Sequence, residues 1–309
     1  MRSTFLIAAV AALILSVSET MAASGPEDVV VLPTDEFVYA CGLMDKGYGN
    51  KVILEKSFVD SESGRDLLHR FLKCQEAYQL GRPGDAPGKP EALLEALRRH
   101  SIGQKIWGDA RFIDGGRYIA VTTTVKPVME NAPLRGNWGC IDYEGNVVIP
   151  LKYGDIVDGN TDLDAIVFET GIRPEDIKKI GVLHNDGSVA LEAEYEYVGF
   201  PFGRWILTVG YHNTKDGHSI YDRNYRKVIS GMQRIQPSSF TIRETGEQLG
   251  FFVIKDGSGL QALFKEDLQR FTDFKFREWA TRNPIWIGVT GVEKDVWVDI
   301  RTWEYVDKL

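Results

Sequence analysis

Asp158-Gly159-Asn160-Thr161-Asp162-Leu163-Asp164, followed by Glu169, has the most ligand-like spacing in the chain. Counted from Asp158, oxygen donors fall at positions 1, 3, 5, 7 and 12, the order in which an EF-hand loop offers oxygens to calcium. Asp158, Asn160, Asp162, Asp164 and Glu169 therefore form a candidate calcium set. Such an ion would be structural, tying one loop. Two features count against it. Leu163 occupies the place where that loop needs glycine for its bend. The run Ala165 to Glu169 also reads as a strand, whereas an EF-hand loop is flanked by helices.

A second constellation is Tyr211-His212-Asn213-Thr214-Lys215-Asp216-Gly217-His218. Imidazole and carboxylate together ligate transition metals and exchange protons near neutrality, so His212, Asp216 and His218 are a conceivable trio. Asn213 and Gly217 are ordinary turn formers, and a polar loop between strands explains the same residues at less cost. No G-x-S-x-G elbow, H-E-x-x-H or P-loop occurs, so no catalytic or cofactor-binding residue is assigned. The tryptophans at 107, 138, 205, 279, 286, 297 and 303 admit a sugar-stacking role, but packing between strands is the plainer reading.

Cys41, Cys74 and Cys140 are the three cysteines. Cys140 lies mid-strand between Gly139 and Ile141, where a thiol behaves as a small apolar side chain. In an oxidising compartment Cys41 and Cys74 are the pair to test first; three reduced, buried thiols fit the sequence equally well. The compartment is addressed by residues 1–22. Arg2, the apolar run Phe5 to Val17 and the small residues of Thr20-Met21-Ala22-Ala23 have the layout of a signal peptide cut after Ala22. An uncleaved anchor is the alternative, although the apolar run is short for a span. The expected mature chain, 23–309, has no further membrane span and is periplasmic or secreted. Its net charge of −8 argues against nucleic acid as a partner, since that binding depends on Lys and Arg neutralising phosphates.

The elements that must hold these residues repeat. Gly139 to Asp142 and Asn146 to Ile149 are two short β-runs around Tyr143-Glu144-Gly145, a tight hairpin whose Gly145 can adopt positive φ. The outline returns at Ile180 to Leu191 with the turn Asn185-Asp186-Gly187, and at Ser219 to Ile229. A weaker copy pairs Ala262 to Lys265 with Leu268 to Phe271, and a last one pairs Val296 to Asp299 with Trp303 to Val306. Taking Asp142, His184, Asp222, Lys265 and Asp299 as equivalent, the steps are 42, 38, 43 and 34 residues. A period near 40 is the mark of stacked supersecondary units. Later strands are expected at Ala165 to Glu169, Trp205 to Val209, Phe251 to Lys255 and Ile285 to Val289.

The stretch from Trp138 to Tyr153 resembles the WG repeat of exported bacterial proteins, whose pattern is W-G-x-I-D-x-x-G-x-x-x-I-P-x-x-Y. Trp138, Gly139, Ile141, Asp142, Gly145, Ile149, Pro150 and Tyr153 stand at its positions. The resemblance implies a β-rich repeat architecture and no particular reaction.

Upstream, Cys41 to Asp45 and Lys51 to Leu54 follow the hairpin outline as one more copy, with its late strand at Tyr118 to Thr123. Between them a helical excursion spans about 61–102. Leu67, Leu68, Phe71, Leu72, Cys74 and Tyr78 share a helical face, Ser63 with Asp66 can cap it, and Pro90 opens a second helix through Leu93, Leu94 and Leu97.

The expected fold is thus all-β, a single domain of antiparallel hairpin repeats with a two-helix insertion. It forms either a small β-propeller or an open curved array. In the propeller, Val29 to Val31 and Phe37 to Ala40 would supply the strand missing from the last unit. The function expected of such a chain is non-catalytic: binding or scaffolding toward a protein or cell-envelope component. The competitors are an extracytoplasmic hydrolase with carboxylates in a central channel and a calcium-stiffened adhesion-type module.

Overall fold

The computed structural model describes residues 28–43, 49–124, 136–171, 176–210, 217–242, 245–273, 276–283, 286–291 and 295–306. The proposed signal peptide, most of the His212–His218 stretch and the side chains of Trp279 and Trp286 lie outside the described residues. The chain divides into two compact units: Met1–Thr161 with Ala165–Val189, and Asp162–Asp164 with Ala190–Leu309. Both are built mainly from antiparallel strands.

In the first unit β1 (Val29–Pro33) pairs with β2 (Lys51–Glu55), from Val29 opposite Glu55 to Pro33 opposite Lys51. Four helices accompany this ribbon: α1 (Asp35–Ala40), α2 (Lys56–Asp60), α3 (Glu62–Gln79) and α4 (Pro90–His100). Phe37 and Val38 of α1, Leu67, Leu68, Phe71 and Cys74 of α3, and Leu93, Leu94 and Leu97 of α4 form one core with Val52 and Leu54. The helical pair therefore falls where apolar spacing puts it. Its N-cap does not: Ser61, not Ser63, accepts from Gly64 N at 3.0 Å. Pro90 opens α4, where its missing N–H costs nothing, and Arg98, Arg99 and His100 sit in the last turn against the negative end of the dipole.

Two expectations for this region fail. Phe37 to Ala40 is helical, so it cannot supply a closing strand, and the N-terminal strand Val29–Pro33 is committed to β2. Cys41 and Gly42 end α1 through bonds to Phe37 and Tyr39 carbonyls instead of opening a hairpin. Asp35-Glu36 at the N-terminus of a six-residue segment favours a helix end over a strand there.

The rest of the unit is sheet. β3 (Asp109–Ile113), β4 (Tyr118–Thr122), β5 (Trp138–Ile141) and β6 (Val147–Tyr153) pair in order, and β7 (Asp155–Asn160), β8 (Ala165–Glu169) and β9 (Ile180–Leu183) do the same. In the second unit β10 (Val189–Gly199), β11 (Ile206–Gly210), β12 (His218–Tyr221) and β13 (Lys227–Met232) follow in sequence order. A seven-stranded sheet then contains β14 (Arg234–Thr241), β15 (Gln248–Lys255), β16 (Gln261–Lys265), β17 (Phe276–Asn283), β18 (Trp286–Gly291), β19 (Asp295–Asp299) and β20 (Glu304–Val306). The expected late strands are β8, β11, β15 and β18. Leu268 to Phe271 is the exception: only Arg270 bridges Phe264, so the fourth copy lacks its second strand.

One turn recurs from copy to copy. The first residue's carbonyl accepts from the fourth residue's N–H: Gly145 to Asp142 at 3.1 Å, Gly187 to His184 at 2.9 Å, Tyr225 to Asp222 at 3.0 Å and Leu268 to Lys265 at 2.9 Å. The fourth residue is left-handed each time, with φ of 86, 84, 58 and 64°. Glycine takes that conformation freely; Tyr225 and Leu268 do so at a cost, which neighbouring contacts must offset. Tyr225 has such a contact, since its hydroxyl donates to the Asp164 carbonyl at 2.5 Å. Tyr225→Phe should accordingly lower stability by about 1 kcal/mol, measured by denaturant titration.

Candidate functional site

All eight residues of the WG pattern act on the fold of β5 and β6. Trp138, 1% exposed, stands opposite Tyr153, and Tyr153 in turn leans on Phe168 with ring centroids 4.8 Å apart. Ile141 and Ile149 are fully buried. Asp142 closes the turn: one carboxylate oxygen accepts from Glu144 N at 3.1 Å and Asn146 N at 2.7 Å, and the other from the Asn146 side chain at 2.9 Å. Gly145 is the left-handed turn residue. Between the pairs Trp138–Tyr153 and Cys140–Ile149 the register shifts, leaving Gly139 alone opposite Pro150, Leu151 and Lys152. A Cβ on Gly139 would lie 2.3 Å from the Ile149 carbonyl oxygen and 2.8 Å from the Pro150 carbonyl carbon. Proline suits such a bulge because it has no ladder hydrogen bond to lose.

Arg111 is the residue that sequence reasoning missed. Its guanidinium lies 4.4 Å from the centre of the Trp138 ring and also bonds the Asp155 carboxylate and the Ile156 carbonyl. Burial raises the Asp155 carboxyl above its ordinary value, with Arg111 opposing that rise. No spacing links positions 111, 138 and 155 in sequence; strand pairing alone assembles them.

The five oxygen-bearing residues read as a calcium set are spread along one β-hairpin. Asp158 faces Val167 and Asn160 faces Ala165 across β7 and β8. Asp162 lies in the 3-10 turn Thr161–Leu163, and Asp164 follows with φ of 52°. Glu169 is at the opposite end of β8, opposite Asp155, and pairs with Lys178 at 2.5 Å. Similar turns precede β4 at Asp114–Gly116 and β11 at Pro201–Gly203, the latter without an acidic residue. Among the described residues no group of three or more His, Cys, Asp or Glu is placed to hold a metal ion.

His218 begins β12, and its Nδ1 accepts from Ile235 N at 3.1 Å. Burial, followed by the charge of Arg234, holds the imidazole below its ordinary value of 6.5. The neutral ring is thus the folded form, and its contribution is present above about pH 6.5 and lost as pH falls from there through the folded value. The thermal midpoint should decline over that window. His218→Asn, whose amide oxygen can take the same N–H without titrating, should flatten the decline.

The turn acids have a parallel role. Asp186 accepts from Ser188 N and Oγ, Asp222 from Asn224 and Arg226 N, Asp256 from Ser258 N and Oγ, and Asp299 from Arg301. Ser188, Ser258 and Arg301 respectively hold Asp186, Asp256 and Asp299 below the usual carboxylate range. At Asp142 burial pushes upward, but the Asn146 amide and three backbone donors outweigh it.

One family model falls on these same strands, β5 and β6. Residues 138–158 match the family model described as the WG containing repeat. No curated protein matches the chain. Among solved structures, one described as a eukaryotic initiation factor is similar over 63% of this chain and 53% of its own, at 9% identity and a TM-score of 0.29. The extracellular domain of a protein described as a hybrid two-component system from B. thetaiotaomicron is similar over 60% of this chain and 26% of its own, at 11% identity and a TM-score of 0.23. The chain thus spans about half the length of the first and a quarter of the second.

Among the described residues, no helix is long and apolar enough to cross a membrane.

Proposed function

We propose that this chain is an exported repeat module that binds a protein or cell-envelope component and does not turn over a substrate. The observation that supports this reading is the use to which the repeated polar residues are put. Asp142, Asp186, Asp222, Asp256 and Asp299 all spend their carboxylates on backbone N–H groups within turns. Repetition therefore preserves a shape, and a recognition surface falls to the residues that differ between copies. Tyr197, about half exposed on β10, is such a residue, standing where neighbouring copies have Asp155 and Ile235. Val147 on β6 and Val189 on β10, equivalent to each other, are likewise about half exposed.

A photo-crosslinking amino acid placed at each of these three positions in the native host tests the reading. A discrete adduct from at least one, competed away by excess unlabelled protein, is the expected result. Turnover of a glycoside or ester panel by the purified chain, abolished by a single carboxylate-to-amide change, would replace it with a hydrolase. Export is tested separately by fractionation and N-terminal sequencing, with Ala23 as the expected first residue.

A further inference from the structure

The helical core brings two cysteines together. Phe37 of α1 stacks on Phe71 of α3, with ring centroids 4.0 Å apart and planes 16° from parallel. One turn farther along each segment come Cys41 and Cys74, four and three residues on. Cys74 lies in the buried core with its thiol donating to the Gly88 carbonyl at 3.8 Å, Cys41 packs against that core, and each thiol perturbs the other. Gln75 adds a further link between the same helices, donating to Glu36 at 3.2 Å. Cys74 is fully buried in the core, while Cys41 at the end of α1 is partly exposed. Cys140 lies apart from them in β5, fully buried and also a thiol.

We propose that Cys41 and Cys74 form a disulfide that staples α1 to α3, made by exchange with a low-molecular-weight or protein disulfide. Cys41 Sγ, the accessible partner, attacks the oxidant's S–S bond and expels one thiol, leaving a mixed disulfide. Cys74 Sγ then attacks Cys41 Sγ and expels the second thiol. The pair loses two protons and two electrons, and the oxidant's disulfide is reduced to two thiols. Burial, with Cys74 beside it, pushes the Cys41 thiol up to about 12. Exchange on the folded chain is therefore slow at neutral pH and quickens as pH rises. The finished bond also resists reduction, because a thiol of high pKa is a poor leaving group. The bond ties residues 33 positions apart in the chain, a long enough loop for closure to restrict the unfolded state appreciably.

The test uses the full chain, reduced and then incubated folded with oxidised glutathione at mildly alkaline pH. After denaturation and thiol tagging, peptide mass mapping should give a Cys41–Cys74 linked peptide two hydrogens lighter than the separate peptides. A single tag should fall on Cys140. The oxidised chain should melt about 5–10 °C above the reduced one. Added reductant should reverse the shift, and Cys41→Ser should abolish it while melting like the reduced chain. Three tagged cysteines after oxidation, glutathione retained on Cys41 without a link, or a bond to Cys140 would each overturn the proposal.

Discussion

Trp138→Ala should cost about 3–5 kcal/mol, the range for removing a buried tryptophan ring, and lower the melting temperature of the first unit by roughly 10 °C. The reason is local and cumulative. Trp138 is 1% exposed, so the void left by its ring is closed to solvent. Tyr153 loses its cross-strand neighbour and Arg111 loses the ring against its guanidinium. Arg111 would keep Asp155, but the ring no longer fixes the guanidinium, and that pair is only partly buried and worth correspondingly little. Trp138→Phe should recover part of the loss by refilling the space. Calorimetry on the two variants decides the matter. A Trp138→Ala chain that melts normally yet loses its crosslinked partner would make the tryptophan a ligand platform instead.

Gly139→Ala should be nearly as damaging although it adds one methyl group. The new Cβ would meet the Ile149 carbonyl oxygen at 2.3 Å and Leu151 N at 2.9 Å, and both neighbours are backbone. A flexible side chain could swing aside; a hydrogen-bonded strand must shift its register. The bulge at Pro150 to Lys152 would have to open, taking the Trp138–Tyr153 pair with it. We expect a loss of several kcal/mol, on the order of the tryptophan truncation. Cys140→Ser in the same strand is a useful contrast: it preserves volume but buries a hydroxyl, and should cost about 1–3 kcal/mol. If Gly139→Ala melts as the parent does, the close approach of β6 is not a constraint on the fold.

Chain periodicity alone determined much of this protein. The turns at Gly145, Gly187 and Tyr225, the late strands β8, β11, β15 and β18, and the helices α3 and α4 all lie where local spacing puts them. A turn is a statement about four neighbouring residues, and helix or strand amphipathicity is a statement about ten or fewer, so both are written locally. Leu268 to Phe271 shows the limit, since β-rich composition did not make a strand where pairing gave it only a bridge. Tertiary structure alone decided the rest. It set the Phe37 ring of α1 against Phe71 of α3. It put Arg111 on Trp138 and Cys41 on Cys74. It also stretched Asp158 to Glu169 along a hairpin, where EF-hand spacing presumes a loop that curls its oxygens inward. Each of these depends on which segments meet in space, and no spacing along the chain encodes that.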